Sequence, residues 1–430
     1  MFFEQLSRIK FGTKAAILLC TLVSVSTVTA SNKREHKSPL DESRTQFSEY
    51  TPEAFDLGGE LSRYLWKNFA AFYPHAEISR AVPIRTLPEN IRLDVAAYKI
   101  TSDLGELSFD QYVKTETHID AVIVLHDGEV VYEAYPDLKP YQKHLAWSVT
   151  KVFVSTALAI LEHQGKVNMS LPVEHYLPEL KNTAWMGTSI QNIVNMASGM
   201  DCLDSDGYQN TTTCIYQYEE SLGITARKNK PVTILEHIKQ VKRRAPQGQI
   251  NEYVSINTYV IGMVIESVTD KPLWLALQDL IWSNIGAEAD ALFTVSPQGN
   301  AYTSGGLNAR LRDIARFGEL FTSEEGIKVI GEAHLTDLKS GNIIQFNSKQ
   351  KQSYADSFGS DLPTHAAWQW DYIWPDGDMY KSGYSGQGIF VSPERKLVIA
   401  FFGTHSKDWK EHQLDAISRQ LSRSGLFSSD

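Results

Sequence analysis

The sequence predicts an α/β fold plus an all-α part: an antiparallel sheet from both chain ends, flanked by helices, with an inserted helical lobe. Three observations carry this prediction. A strand pair occupies residues 121–134, helical periodicity dominates roughly residues 180–330, and two strands and a helix follow near the C-terminus. Since strands lie on both sides of the helical stretch, they can join in one sheet.

The N-terminal 30 residues are predicted to be an export signal. Basic residues precede an apolar run from Ala15 to Val28, and small residues up to Ala30 fit a cleavage site. The run is shorter than the ~20 residues that span a bilayer. We therefore expect a signal peptide over residues 1–30 and an exported protein, periplasmic or secreted, without stable membrane insertion after cleavage. An uncleaved anchor is the alternative.

Composition divides the rest of the chain into an extension and a main domain. Residues 31–50 are polar and charged, as is typical of a flexible arm, and residues 31–80 are interpreted as an N-terminal arm and extension. Residues 81–430 are predicted to form the main domain, which contains the helical lobe.

The charge pattern argues against a nucleic-acid partner. The 430 residues carry 41 Lys and Arg against 51 Asp and Glu, a net charge of −10, without a block of like charges. Nucleic acids are bound by clustered basic side chains, which this pattern lacks. The sequence also has no Rossmann glycine pattern, phosphate loop or His-Glu-x-x-His motif, so we expect no cofactor and no metal.

Two cysteines remain after removal of the predicted signal. Cys202 and Cys214 flank a polar loop rich in turn-forming residues. In an exported protein such a pair predicts a disulfide bond, which would contribute about 3 kcal/mol of stability by closing the loop. Two free or buried thiols are the alternative.

The first elements of the main domain are a hairpin and a helix. Strand-like residues at 122–125 and 130–132 are joined by Asp127-Gly128, a typical hairpin turn. Residues 149–164 have helical spacing, and Gly165 is a typical helix stop.

The later elements are helices followed by strands. Helical spacing recurs at residues 190–194, 234–241, 257–268 and 311–321. Strand patterns return at residues 388–391 and 397–402, and an amphipathic helix is expected from about residue 409 to residue 422. Between the predicted helix ending at residue 321 and the strand at residue 388, four aromatic residues either line a cleft or pack in a core: Trp368, Trp370, Tyr372 and Trp374.

The tetrad Ser148-Val149-Thr150-Lys151 is the candidate catalytic pair. Residues three apart on a helix share a face, so the Lys151 amine can reach the Ser148 hydroxyl and act as its base. Ser7 and Ser348 begin the same pattern, but Ser7 lies in the predicted signal, and Ser348 lies in a polar stretch where we expect no helix. The alternative for Ser148 is a helix N-cap.

A second candidate element is Tyr253-Val254-Ser255. A tyrosine near lysines can relay a proton, because cations lower its pKa from about 10. Tyr253 is preferred because a loop precedes it and an apolar helix follows; a core tyrosine is the alternative. The same spacing to Ser or Asn occurs at Tyr208, Tyr302 and Tyr380.

The third candidate element is Lys381-Ser382-Gly383. A basic residue and a hydroxyl on an edge strand can bind a substrate carboxylate, and the backbone N–H of Tyr384 can join that of Ser148 as an oxyanion hole. The identical triplet at residues 339–341 is rejected because its neighbours do not form a core strand.

The order Ser-x-x-Lys, Tyr-x-Ser, Lys-Ser-Gly resembles the order of the three motifs in serine β-lactamases and penicillin-binding proteins. Within that superfamily, the sequence is most similar to the members related to class C β-lactamases. The match covers about residues 120–405. The forms Tyr-x-Ser-x-Asn and Gly-x-x-Gly-Gln most resemble the 6-aminohexanoate-dimer hydrolase branch. The segments that carry the resemblance are 145–151, 164–167, 176–180, 190–200, 246–248, 253–257, 304–307, 312–318, 383–387 and 393–394.

This resemblance implies a β-lactamase/transpeptidase-like fold and an acyl-enzyme mechanism. Carried over by position, Ser148 attacks, Lys151 is the base and Tyr253 passes a proton to the leaving group. The supporting residues would be Ser255, which orients Lys151, together with Asn257, Lys381, Ser382, Gly383 and Tyr384.

Two departures from the family pattern bear on the substrate. Class C β-lactamases have Tyr-x-Asn where this sequence has Ser255, which argues against efficient β-lactamase activity. The segment from Lys381 to Pro393 is also shorter than in those enzymes.

We predict a serine hydrolase that cleaves an amide or ester bond of a small molecule or short peptide. Two alternatives stay open: a weak or silent relative that binds cell-wall peptide or a protein partner, and a true β-lactamase or D-amino-acid peptidase. Loss of Ser148, Lys151 or Tyr253 would mark the silent relative, and all three are present. A Ser-His-Asp hydrolase using His405 is disfavoured because the sequence lacks Gly-x-Ser-x-Gly.

Overall fold

The structure is a computed structural model that describes residues 38–80, 82–341 and 344–427. The predicted export signal lies outside the described residues. The chain divides into two compact units, residues 1–50 and residues 51–430. Within the described ranges, no helix is both long and apolar enough to cross a membrane.

The described part of the first unit is a helix, α1 (Pro39–Glu49). Residues 31–50, which we expected to form a flexible arm, thus include a helix. Ser38 caps the helix by accepting a hydrogen bond from the Asp41 N–H, and Pro39 occupies the first turn. These local signals support a helix although the segment is polar.

The second unit contains strands of three sheets. They are β1 (His75–Ile78), β2 (Lys99–Ser102), β3 (Gly105–Ser108), β4 (Ile119–His126), β5 (Glu129–Ala134), β6 (His144–Leu145), β7 (Ala291–Thr294), β8 (Leu307–Ala309), β9 (His365–Ala367), β10 (Trp370–Ile373), β11 (Met379–Gly383), β12 (Gln387–Ser392) and β13 (Leu397–Gly403).

The second unit also contains α-helices of three to fifteen residues. They are α2 (Gly59–Lys67), α3 (Leu93–Ala97), α4 (Phe109–Thr115), α5 (Thr150–His163), α6 (Ile190–Val194), α7 (Cys214–Leu222), α8 (Ile234–Gln240), α9 (Ser255–Thr269), α10 (Leu273–Leu277), α11 (Ser283–Ile285), α12 (Leu311–Gly318), α13 (Glu324–Ile330), α14 (Glu332–Ser340), α15 (Ser348–Phe358) and α16 (Leu414–Ser422).

The main sheet confirms the predicted architecture. Its seven strands lie in the order β5-β4-β13-β12-β11-β10-β9, and every neighbouring pair is antiparallel. Strands β4 and β5 precede the helical region and β9 to β13 follow it, so both ends of the chain build one sheet. The hairpin turn is the predicted one, with Asp127 and Gly128 both at positive φ.

Helices cover both faces of this sheet. On one face, Leu414, Ile417 and Leu421 of α16 pack in a core cluster with alternate strand residues such as Val124 and Ile399. On the other face, α12 lies so close that a Cβ on Gly318 would approach the Val398 side chain to 2.4 Å. Burial of both faces explains why residues 121–125 of β4 and the whole of β13 are continuous apolar runs.

A second sheet takes two of its four strands from the region that we expected to be helical. Its strand order is β1-β7-β8-β6, and β7 and β8 interrupt the helices between residues 180 and 330. The prediction of a wholly helical lobe was therefore incomplete. Strands of three and four residues carry too little alternation to be recognised from the sequence.

The local predictions elsewhere hold with two corrections. Helix α5 ends before Gly165, which adopts positive φ, as expected. The stretch at Ser348, where we expected no helix, begins α15, because Asn347 and Gln350 form a capping box. The last helix begins at Leu414 rather than near residue 409. The tryptophans at 368, 370 and 374 are fully buried, so they pack in the core instead of lining a cleft.

A buried charge network attaches α2 to the main sheet. The Arg63 Nε lies 2.8 Å from Asp120, a fully buried residue of β4. Burial opposes ionisation of Asp120, but the hydrogen bond from His144 and the charge of Arg63 hold the pKa of Asp120 below its usual range. The Thr404 hydroxyl donates to the same carboxylate at 2.6 Å. The ion pair therefore connects the segment before residue 80 to the centre of the domain.

We expect Arg63→Met to lower the free energy of unfolding by about 3 kcal/mol or more, because it leaves the Asp120 carboxylate buried without its cation. Urea denaturation of the folded protein measures this change. Lys396→Met is the matched control, since it breaks an exposed pair with Asp127 and should change stability far less. Equal effects of the two substitutions would contradict the structural role of the buried pair.

Candidate active site

Ser148 and Lys151 lie together where the helical region meets the main sheet. Residues Trp147–Val149 form a short 3₁₀ turn that leads into α5. The Lys151 Nζ is 2.9 Å from the Ser148 Oγ, as the three-residue spacing predicted. Ser148 is partly exposed, whereas Lys151 is only 1% exposed. The hydroxyl is therefore accessible to a substrate while the amine is shielded from water.

Burial makes Lys151 a suitable base. Desolvation lowers the pKa of Lys151 to about 7, because the charged form loses its hydration. The carboxylates of Asp204, Asp371 and Glu219 oppose this shift, and the neighbouring charge of Lys381 favours it. The amine also donates to the Ser304 carbonyl oxygen at 2.9 Å, which fixes its direction. Near neutral pH a large fraction of Lys151 can accept a proton.

Tyr253 completes the cluster. Its hydroxyl accepts a hydrogen bond from the Lys381 Nζ at 3.0 Å, and its ring centroid lies 5.0 Å from the Lys151 Nζ. The expectation that cations lower its pKa was wrong. Burial raises the pKa of Tyr253 well above 10, and the charges of Asp371 and Asp204 raise it further. The phenol therefore stays protonated and can donate or relay a proton.

The Lys381-Ser382-Gly383 triplet is near the site, but Asp371 occupies its polar groups. The Lys381 Nζ is fully buried and lies 2.6 Å from the Asp371 carboxylate. The same carboxylate accepts hydrogen bonds from the Ser382 N–H, at 2.9 Å, and from the Ser382 hydroxyl. The ammonium and hydroxyl that we expected to bind a substrate carboxylate are thus already paired within the protein.

Strand β11 is also not an edge strand. It pairs with β12 on one side and with β10 on the other, up to Tyr380. The sequence-based expectation missed β9 and β10, which extend the sheet. Residues 381–383 lie beyond the paired part of β10, and β11 contacts the turn that carries Ser148.

The backbone just before Ser148 is strained and held by aromatic packing. Trp147 has a φ of +48°, a conformation that residues with side chains rarely adopt. Its indole contacts the rings of Phe55, Trp66 and Tyr384, with centroids 5.3, 5.6 and 5.0 Å away. This packing fixes the turn that presents Ser148.

The end of β11 approaches the same turn closely. A Cβ on Gly383 would lie 2.8 Å from the Ala146 carbonyl oxygen, so the approach requires glycine. The next side chain, Tyr384, is anchored by its hydroxyl, which donates to the Asp56 carbonyl oxygen at 2.8 Å.

Ser255 and Asn257 support the site from α9 rather than touching the reacting atoms. Ser255, expected to orient Lys151, instead donates its hydroxyl to Asp204 at 2.5 Å, and its N–H donates to the same carboxylate at 2.7 Å. Asn257 is buried and accepts a hydrogen bond from the Ser198 hydroxyl at 2.8 Å. Asp204 therefore caps α9, the helix that begins two residues after Tyr253.

The sequence analysis missed Asp204 and Asp371. Asp204 lies in the loop closed by the disulfide between Cys202 and Cys214, which the structure confirms. Asp371 lies on β10, between the buried Trp370 and the half-buried Tyr372. Single aspartates in a polar loop or a short strand carry no local signal, because their role depends on contacts with residues ten or more positions away.

Two other candidate chemistries have no support in this geometry. The side chains of Cys202, Cys214 and His237 come close together, but both sulfurs are consumed by the disulfide and cannot bind a metal as thiolates. His405, the candidate for a Ser-His-Asp arrangement, contacts the buried Ser385 hydroxyl.

Comparison with known proteins agrees with this geometry. A family model described as Beta-lactamase matches residues 109–423. The 6-aminohexanoate-dimer hydrolase of Paenarthrobacter ureafaciens is 25% identical over 343 residues, which cover 79% of this chain and 84% of that protein.

Two solved structures share the fold. A Bacillus anthracis protein assigned as a 6-aminohexanoate-dimer hydrolase superposes with a TM-score of 0.72 at 21% identity, covering 88% of this chain and 96% of the other. EstCE1, a hydrolase with promiscuous acyltransferase activity, gives a TM-score of 0.54 at 14% identity, covering 68% and 91%.

We expect hydrolysis of an uncharged ester to depend on pH through Lys151. The base must be neutral, and its pKa is lowered to about 7. The value of kcat/KM should therefore rise about tenfold per pH unit below 7 and level off above it. A pH–rate profile from 5 to 9 measures this. A profile that is flat, or that falls between pH 5 and 7, would contradict Lys151 as the base.

Proposed function

The chain belongs to the β-lactamase family, and we propose that it is a serine hydrolase that cleaves an amide or ester bond through an acyl-enzyme on Ser148. Its substrate would be a small molecule or a short peptide. The observation that carries the proposal is the 2.9 Å contact between the Ser148 hydroxyl and an amine whose pKa is lowered to about 7. A hydroxyl needs such a base to become a nucleophile.

The proposed reaction has two halves. In the first, neutral Lys151 accepts the Ser148 proton while the Ser148 oxygen bonds to the substrate carbonyl carbon. The bond to the leaving group then breaks, and the leaving group takes a proton that passes through Tyr253. In the second half, water attacks the acyl carbon by the same proton path in reverse, and the acid product and free Ser148 are released.

Backbone N–H groups would stabilise the negative oxygen formed at each attack. We assign this role to the N–H groups of Ser148 and Tyr384. The close approach of Gly383 to the turn at Ala146 supports the assignment, because it carries the end of β11 to the nucleophile. Two fixed donors of this kind stabilise a transition state more than a ground-state carbonyl.

An amide substrate is favoured over an ester as the natural one by the relative named a 6-aminohexanoate-dimer hydrolase. The interpretation as a silent binding protein is disfavoured because Ser148, Lys151 and Tyr253 are not only present but also in contact. Turnover of matched amide and ester substrates tests the first point, and the presence of any turnover tests the second.

We also propose that the protein is exported. The N-terminal sequence and the Cys202–Cys214 bond support this, since disulfides persist in oxidising compartments. Protein recovered from the periplasm or medium of an expressing cell should begin at Ser31 by N-terminal sequencing. Recovery only from the cytoplasm, with Met1 retained, would contradict export.

The acyl-enzyme is tested with a fluorophosphonate and with p-nitrophenyl butyrate. The wild-type protein should gain one covalent adduct, seen by intact mass, and should release p-nitrophenol. Ser148→Ala should lose the adduct, and Ser148→Ala and Lys151→Ala should each lower kcat by about 10³-fold or more.

Ser348→Ala is the matched control for this experiment. Ser348 begins the other Ser-x-x-Lys pattern of the main domain and is exposed at the start of α15, so its loss should leave labelling and turnover unchanged. Labelling of Ser148→Ala at the wild-type rate would refute the assignment. Labelling of the wild type without turnover of any ester or amide would favour the binding protein.

A further inference from the structure

Lys381 is a cation beside the nucleophile, yet its charge is directed away from any ligand. Its side chain is fully buried, and its ammonium contacts the Asp371 carboxylate at 2.6 Å and the Tyr253 hydroxyl at 3.0 Å. Asp371 is itself only 13% exposed, so the pair is shielded from water and salt. A substrate anion would have to displace Asp371 to reach this cation.

Asp371 also occupies the hydrogen-bond donors of Ser382, the next residue of the triplet. It accepts the N–H and the hydroxyl of Ser382, the next two donors along this end of β11. The Asp371 carboxylate already lies at hydrogen-bond distance from each of these donors. A substrate carboxylate that approached them would therefore be repelled by Asp371. Repulsion between like charges in a partly desolvated site discriminates strongly between ligands.

The other charges near the nucleophile act in the same direction. The groups that act most on Lys151 include three carboxylates, those of Asp204, Asp371 and Glu219, and one cation, Lys381. Lys381 is paired with Asp371, and burial raises the pKa of Glu219 to about 8, so Glu219 is largely uncharged near neutral pH. When Lys151 is neutral, Asp204 therefore leaves one uncompensated negative charge among these groups, which disfavours anions and favours neutral or positively charged groups.

We propose that Asp371 is a specificity-determining residue that makes the site select substrates whose leaving group is neutral or cationic near the scissile bond. Leaving groups with a carboxylate at that position, as in an α-amino acid or α-hydroxy acid, are rejected. This inference rests on the proposed hydrolase function, because it assumes that Tyr253 and Lys381 face the leaving group.

A pair of matched esters tests the proposal. The phenylacetyl ester of glycolamide and the phenylacetyl ester of glycolate differ only by an uncharged amide against a carboxylate. The wild-type enzyme should have a kcat/KM at least about tenfold higher for the glycolamide ester, the size expected for one repulsive charge contact. Release of phenylacetate by liquid chromatography measures both rates.

Asp371→Asn should reduce or reverse this preference by at least about tenfold, because it removes the negative charge and keeps the side-chain shape. The gain should fall mainly on KM for the glycolate ester. A merely structural defect would lower both rates together and leave their ratio unchanged. Asp127→Asn removes one charge from an exposed residue of the β4–β5 turn and should leave both rates at the wild-type level.

Several outcomes would overturn the inference. Equal wild-type rates on the two esters, or an Asp371→Asn ratio equal to that of the wild type, would refute the role of Asp371. If Asp371→Asn has a markedly lower melting temperature than the wild type, the smaller Asp371→Ser is measured instead. The ratio of its two kcat/KM values is expected to be the same as that of Asp371→Asn. Fluorophosphonate labelling of the same samples separates the two proposals. Failure of both labelling and turnover refutes the hydrolase itself, whereas labelling and turnover without charge preference refute only this inference.

Discussion

The dehydration of Lys151 is the constraint on which the rest of the site depends. A lysine in water is protonated at neutral pH and cannot serve as a base. Here the amine is 1% exposed and is held between the Ser148 hydroxyl and the Ser304 carbonyl oxygen, which are both polar but uncharged. Burying an amine without a direct counter-ion favours its neutral form, and the close packing of α5 against α9 maintains that burial.

The two lysines of the site illustrate how one surrounding contact changes the role of a residue. Burial lowers the pKa of Lys381 as well, but its pairing with Asp371 opposes the shift, whereas Lys151 touches no carboxylate directly. One amine is thus prepared to accept a proton and the other to hold a charge. Tyr253 lies between them, with its ring centroid 5.0 Å from one ammonium position and 4.6 Å from the other. The phenol therefore lies between an amine that can accept a proton and a fixed cation.

Much of the fold could be predicted from the sequence because its signals are local. The Asp127-Gly128 turn, the helix stop at Gly165 and the apolar strands near both ends each depend on a few neighbouring residues. The errors arose where a signal was short or polar. Strands β7 and β8 are too brief to show alternation, and α1 and α15 are polar helices whose caps at Ser38 and Asn347 outweigh the absence of an apolar face.

For the site, the sequence by itself determined the residues whose chemistry depends on helical spacing: Ser148 and Lys151 must share a face when they are three positions apart. It also nominated Tyr253, although not its raised pKa. Only the tertiary structure decided what surrounds them. Asp204 caps α9 and Asp371 neutralises Lys381 across separations of 51 and 10 residues, and no local pattern encodes such contacts. The physical reason is that charge and burial are properties of the assembled environment, whereas periodicity is a property of the chain.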